Sequence, residues 1–231
     1  MEPLHRHFEQ EIETLRETLL RLGGLVEEAI GRALQALVQR DDAVARAVVE
    51  ADNEVDRLEL QIDGQCMEIL ALHQPFARDL RFVTTGMKIT TDLERIGDLA
   101  VNMCERALEL NREPQLKPFI DIPLMGRRAQ EMVHGALNAF VRQDALAARQ
   151  VIAMDDELDA RMEQIFRELV SYMLERPDSI TRALRLTFVA KYLERMGDQA
   201  TNICEQVVYM VEGQVIKHPG VAGTRRDDDG A

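Results

Sequence analysis

Tryptophan is missing from this chain, and only seven Phe and three Tyr occur in 231 residues. So few rings leave the core to aliphatic side chains. Ala, Leu, Val, Glu, Arg and Gln dominate, which is the vocabulary of long helices. Three cysteines, Cys66, Cys104 and Cys204, are an odd number. That excludes a fully paired disulfide framework and points to a reducing, cytoplasmic compartment. No apolar run approaches the roughly 18–20 residues of a membrane span, and residues 1–18 are charged and amphipathic where a secretory leader would be apolar. Positive charge is short as well. The formal net charge of −13 argues against phosphate-backbone binding, and hence against direct contact with nucleic acid. Nucleophile elbow, phosphate loop and paired Ser/His arrangement are all lacking, so nothing reads as an active site.

What is present is helical period. Residues 5–39 carry Phe8, Ile12, Leu15, Leu19, Leu22, Val26, Ile30, Ala33 and Leu37 at the 3–4 spacing of a buried stripe. The pair Gly23-Gly24 interrupts it and suggests a bend or a close helix–helix approach. Asp41 and Asp42 can cap a second helix, running to about His73, where Pro75 breaks the chain. A third is expected from about Ala77 to Asn111. The stretch 113–123, with prolines at 114, 118 and 123, reads as a linker. Three more helices follow, at about Leu124–Val141, Asp144–Glu175 and Ser179–Glu212. The expected organisation is a first three-helix repeat over 1–112, a second over 124–216, and a disordered tail over 217–231.

The halves are related. Leu93-Glu94-Arg95-Ile96-Gly97-Asp98 recurs 100 residues later as Leu193-Glu194-Arg195-Met196-Gly197-Asp198. Ahead of it the offset is 103, pairing Glu28 with Glu131, Asp41 with Asp144, Asp52 with Asp155 and Asp56 with Asp159. The fold expected is all-α, a tandem of two antiparallel three-helix bundles made of six long helices. A helix of about 33 residues spans roughly 50 Å.

Each copy places Glu and Asp four residues apart, one turn apart on one helix face, a like-charge spacing that costs about 0.2–0.5 kcal/mol. With about 100° per residue, Glu94, Asp98 and Glu105 fall within about 40° of one another, opposite the arc of Leu93, Ile96, Ala100, Met103 and Ala107. Gly97 and Gly197 lie on the flank of that arc, where a missing side chain admits a neighbouring helix. The second helix carries its own acidic stripe, Asp52, Asp56, Glu59 and Asp63; its counterpart keeps Asp155 and Asp159 but has Met162 and Phe166 later. Two acid pairs on different helices could converge on a cation, and carboxylate ligation suits Mg²⁺, Mn²⁺ or iron. The alternative is an ordinary solvated face, with Arg95 pairing Asp98 and Arg195 pairing Asp198. Glu131-x-x-His134 fits half of a di-iron pattern, but Gly31 occupies the matching place in the first half. His5 and His7 read as solvated.

Taken together, these residues resemble the PhoU family, the accessory and regulatory proteins of phosphate-specific transport. The resemblance rests on Leu93–Asp98 and Leu193–Asp198, on Asn202-Ile203-Cys204-Glu205, on Gln74-Pro75-Phe76-Ala77-Arg78-Asp79-Leu80-Arg81, and on Leu22-Gly23-Gly24-Leu25-Val26-Glu27. It covers about residues 5–218. It implies a pair of three-helix bundles, usually homodimeric, with no enzymatic activity and no organic cofactor. It implies a divalent or ferric ion (Mg, Mn, Fe or Zn) at Glu94, Asp98, Glu194 and Asp198, with Asp52, Asp56, Asp155 and Asp159 as additional ligands. It further implies a cytoplasmic adaptor that restrains uptake by the phosphate ABC transporter, acting at its ATPase subunit, and reports phosphate sufficiency to the sensor histidine kinase. Asp79 and Arg81 are its candidate partner-binding residues, in the first half only. The competing reading is a carboxylate-bridged metal store or di-metal enzyme.

Overall fold

The computed structural model describes residues 2–216; the tail read as disordered and the side chain of His5 lie outside the described residues. The first half is three long helices: α1 (Glu2–Gln39), α2 (Asp42–His73) and α3 (Ala77–Leu110). The second runs α4 (Asp121–Arg142), α5 (Ala145–Ile152), α6 (Asp155–Glu175), a 3₁₀ turn at Pro177–Ser179, and α7 (Ile180–Glu212). Among the described residues no strand occurs, and no helix is long and apolar enough to cross a membrane. The all-α architecture expected from the aliphatic period is the observed one.

The helix starts follow local chemistry. Asp41 has extended backbone and accepts from the N–H groups of Ala43 and Val44, and Asp144 accepts from Ala147 at the matching place. Each satisfies donors that the first turn of a helix leaves open. Two expectations need correcting. Pro123 is no breaker, because α4 already begins at Asp121 and a proline in the first turn lacks only an N–H with no intrahelical acceptor. The expected helix 144–175 is two pieces. Its chain tightens where the Met154 N–H bonds the Val151 carbonyl, and α6 restarts at Asp155. Three successive acids, Asp155, Asp156 and Glu157, then sit at the positive end of α6, which favours a start there.

The halves share one continuous core rather than standing apart, and the expected core arc Leu93, Ile96, Ala100, Met103 and Ala107 is buried in it. α3 lies antiparallel to α7, as the reversed order of three contacts records. Arg81 Nε donates to the Met210 carbonyl at 3.0 Å, Lys88 Nζ meets Gln206 at 3.2 Å, and Arg185 Nε meets Glu109 at 2.9 Å. α1 packs antiparallel on α4 with an internal twofold relationship. A Cβ on Gly23 would lie 2.6 Å from Leu137 Cδ1, and one on Gly126 would lie 2.9 Å from Leu34 Cδ2. Gly23 and Gly126 are repeat partners, and so are Leu34 and Leu137, so the same leucine-into-glycine contact is made twice, once in each direction. Of the bend or close approach expected at Gly23-Gly24, the structure has a close approach, at Gly23, in an unbroken helix. The same symmetry accounts for Gly31, whose open face is covered by Gln130 Nε2, 3.1 Å from where a Cβ would sit. Its counterpart His134 pairs across the seam with Glu27 at 3.0 Å.

Arg40 holds the end of the first half. Its Nη2 donates to the carbonyls of Leu110, Asn111 and Glu113 at 3.2, 2.9 and 2.6 Å, at and just beyond the end of α3, where the Leu110 carbonyl also accepts from the Glu113 N–H. Arg40→Ala is expected to lower stability by about 1.5 kcal/mol and to speed amide hydrogen exchange at Asn111, Arg112 and Glu113. Unchanged exchange there would show that the guanidinium does not hold this end.

Candidate metal-binding clusters

Each half brings an acidic stripe of its middle helix against the Glu-x-x-x-Asp pair of its last helix. The glycine inside the motif makes this possible. A Cβ on Gly97 would stand 3.3 Å from Asp52 Oδ1 and 3.3 Å from Val55 Cγ1, and one on Gly197 would stand 3.3 Å from Asp155 Oδ1 and collide with Leu158. The expectation that these glycines admit a neighbouring helix is met, and the helix admitted delivers a carboxylate.

In the first half Asp52, Asp56, Glu59, Glu94 and Asp98 act on one another. Burial raises the Glu94 carboxyl to about 7, helped by the charge of Asp98, then Glu59, a hydrogen bond with Asp98, and Asp56. Burial lifts Asp52 to about 6, with Asp56 and Asp98 adding to it. Glu59 is raised by burial and by Asp63, Asp56 and Asp98. Glu59 was visible in the spacing of the helix-2 stripe, but its participation needed the helix packing. In the second half burial lifts Asp155 to about 6, with the charges of Asp159, Asp198, Glu194 and Asp156. Asp198 is raised by burial, Glu194 and Asp159, against the opposing pull of Lys191 and Arg195. The structure therefore brings Asp52, Asp56, Glu94 and Asp98 within electrostatic reach of one another, and Asp155, Asp159, Glu194 and Asp198 likewise.

The alternative of simple ion pairs fails for the first copy. Arg95 turns back to Asp92, at 3.9 Å. The second copy has a partial neutraliser in Lys191, whose Nζ lies 2.5 Å from Glu194 Oε1. Thr91 stands at the matching place in the first half. The first cluster is thus the more acidic.

The donor set suits a hard cation, being carboxylate throughout. Asp155 Oδ1 and Glu194 Oε2 are buried without a hydrogen-bond partner, a cost that a bound cation removes. As the side chains stand, no three Asp, Glu, His or Cys groups among the described residues are gathered closely enough to enclose an ion. Ligation would require the carboxylates to turn towards a common centre. The cysteines take no part: all three are free and buried, and burial pushes each thiol up to about 12. His7 and His73 gather on Glu11, at 3.2 and 2.5 Å, and His134 pairs with Glu27, so these three imidazoles are all engaged with carboxylates outside the clusters.

Asp79 and Arg81 are placed differently from each other. Asp79 is exposed in the first turn of α3, whereas Arg81 is half-buried and joined to the end of α7 through Met210.

Comparison with known proteins bears on the family and the fold. The PhoU domain matches twice, over residues 19–107 and 122–207. A phosphate-specific transport system accessory protein PhoU homolog of Aquifex aeolicus is 42% identical over 209 residues, 90% of this chain and 95% of that one. The accessory protein PhoU of Escherichia coli is 37% identical, with 92% of this chain and 88% of that one covered. The crystal structure of PhoU from Pseudomonas aeruginosa superposes with a TM-score of 0.87 at 40% identity, covering 90% of this chain and all of that one. The PhoU structure from Streptococcus pneumoniae gives 0.85 at 31% identity, with 90% and 99% covered. With both repeats matched and relatives aligned over nearly their whole length, the chain belongs to the PhoU family.

Proposed function

We propose that this protein is a regulatory accessory of phosphate-specific transport that restrains phosphate uptake and keeps the phosphate-starvation response off when phosphate is plentiful. The observation that carries the reading is the end-to-end match to relatives named for that accessory role, at 34–42% identity. It acts in the cytoplasm as an adaptor, contacting the ATPase subunit of the phosphate ABC transporter and the phosphate sensor histidine kinase, and it works as a homodimer. Long helices with exposed apolar side chains at their tips suit such contacts. Exposed Phe76 and Leu80 lie beside Asp79 and Arg81 where α3 begins, which makes the α2–α3 connection the first candidate for a partner. The test is genetic. Deletion of the gene should raise alkaline phosphatase secretion in phosphate-rich medium, and unchanged expression would overturn the reading.

Within that role the acidic clusters hold Mg, Mn, Fe or Zn as structural elements. Glu94, Asp98, Glu194 and Asp198 are the principal ligands, with Asp52, Asp56, Asp155 and Asp159 completing them. Because Lys191 occupies only the second cluster, Glu94→Ala with Asp98→Ala should remove more bound metal than Glu194→Ala with Asp198→Ala. Elemental analysis of untagged protein decides it, and equal content in wild type and both variants would end the proposal. A carboxylate-bridged metal store or di-metal enzyme has less support, since di-iron bundles of that kind take histidine ligands and His7, His73 and His134 are engaged elsewhere.

A further inference from the structure

The two halves differ most where they should be alike. In the first half a cavity of about 300 Å³ opens between α1, α2 and α3, walled by Leu25, Ala29, Val48, Ala51, Val55 and Val101, with Gly97 at its floor. That volume lies at the lower end of the range for ligand pockets, and the walls are mostly apolar with a few polar groups, as such pockets usually are. Glu28, Arg32, Asp52 and Glu54 supply the polar groups.

The repeat provides an internal comparison. Leu25, Ala29, Ala51 and Val55 correspond to Arg128, Met132, Met154 and Leu158. Each replacement enlarges the side chain, and together they fill the equivalent space. Leu158 presses on Gly197, Met132 Cε lies 3.5 Å from where a Cβ on Gly197 would be, and Arg128 reaches across to Glu157. At these four positions the chain fills space in one half and leaves it open in the other, while at the rim the open groove carries Arg32 where the second half has Gly135. Apolar surface facing an unfilled space forfeits dispersion contacts, so the open groove is a departure from its filled twin that needs an occupant.

Charge decides the kind of occupant. At the rim, Arg32 faces Glu28 at 3.5 Å, and Glu54 is held by Arg57 and Arg21, each at 2.6 Å. Asp52 has no cation paired with it among the described residues, and its Oδ1 lies over Gly97 at the inner wall. In the second half the Arg128 head meets Glu157, the counterpart of Glu54, and in the first half Arg57 and Arg21 already meet Glu54. The carboxylate left over in the wall of the open groove is Asp52.

We propose that the α1–α2–α3 groove is a binding site for a small molecule that combines an unbranched aliphatic body with a single cationic end, an alkylammonium or alkylguanidinium. The body lies along Ala29, Val48, Ala51 and Val55, and the cation meets Asp52. The site shares Asp52 with the first acidic cluster, so the cation and a metal ion compete there, and its test does not depend on the partner contacts proposed above.

The probe is n-hexylammonium added to the metal-free full-length protein, followed by the methyl resonances of Ala29, Val48, Ala51, Val55 and Val101. Saturable shifts confined to those methyls are expected, with a dissociation constant of about 1 mM. Hexanoate should bind at least tenfold more weakly, and hexanol should fall between the two. Ala29→Met with Ala51→Met imports the filling residues of the second half and should weaken hexylammonium at least tenfold while leaving the circular dichroism spectrum unchanged. Where that pair perturbs folding, Val55→Leu serves as the same plug. Asp52→Asn should bring hexylammonium to the level of hexanol. Hexanoate binding as tightly as hexylammonium, shifts located elsewhere, or a plugged and folded variant that binds as before would each overturn the proposal.

Discussion

Gly197→Val should lower the melting temperature by about 6–12 °C, corresponding to a loss of about 3 kcal/mol. The reason is the contact that the missing side chain permits. Leu158 is fully buried and lies directly over the Gly197 Cα, with Asp155 Oδ1 on one side and Met132 on the other. Two γ-methyls can enter only by pushing α6 off α7, which also moves Asp155 away from Glu194 and Asp198. Gly97→Val should cost about half as much, because its nearest neighbours are Asp52 Oδ1 and a valine methyl, both 3.3 Å from the Cβ position and beside an open groove. The control is Gly24→Ala or Gly64→Ala. A Cβ at either position meets nothing within 4 Å. Each helix should therefore gain about 0.5–1 kcal/mol from the lower chain entropy of the unfolded state. Thermal denaturation of the four variants separates glycines that admit a helix from glycines that do not. A Gly197→Val protein melting with wild type would show that α6 does not pack as described.

Those glycines illustrate how much of the molecule is legible in its sequence. Helix starts at Asp41 and Asp144 were readable because a cap is a local matter of one side chain and the next three N–H groups. The acidic stripe and the core arc of α3 were readable because a helix converts spacing into direction. The role of Gly97 was half readable: the motif placed it at the edge of the buried arc, but that α2 brings Asp52 to it depends on a contact between residues 45 positions apart. The exchange of Gly23 with Leu137 and of Gly126 with Leu34 was not readable, since nothing in either segment records which helix lies opposite. The same holds for buried Lys117, whose partner Glu168 comes from α6. The interruption at Ala153–Met154 escaped detection because the apolar period continues across it, and only the backbone hydrogen bonding changes. The alternative pairing of Arg95 with Asp98 rested on a spacing of three, and Arg95 took the other residue three positions away, Asp92, although Asp98 is itself exposed.

The second large effect comes from the acidic clusters. In EDTA, the metal-free protein should lose stability as pH rises from 5 to 7.5, with a melting temperature about 4–8 °C lower at the upper end. Asp52 and Asp155 ordinarily titrate at 3.8 and Glu94 at 4.5, but in the folded chain they stand at about 6, 6 and 7. Between the two sets of values the folded state holds more protons than the unfolded one, so each rise in pH favours unfolding. The loss begins above the unfolded values near 4 and is complete once pH passes the highest folded value near 7. Solvent screening of these partly exposed groups reduces the summed effect to about 2 kcal/mol, which sets the temperature range quoted. Below about pH 4.5 the sign reverses, because the arginines on Glu54 and Glu157 hold those carboxyls below their usual range and their contribution disappears on protonation. An optimum near pH 5 follows. Combining Asp52→Asn, Glu94→Gln and Asp155→Asn should remove most of the slope and raise the melting temperature at pH 7.5 above that of wild type. A cation does the same by a different route. Added Mn²⁺ should stabilise wild type more at pH 7.5 than at pH 5, because at the lower pH protons compete for the same oxygens, and it should stabilise the triple variant less than wild type, since that variant keeps Asp98, Glu194 and Asp198. A melting temperature that is level or rising from pH 5 to 7.5 in EDTA would show that the carboxylates do not crowd one another in the folded chain, and would remove the electrostatic reason for a cation to bind there.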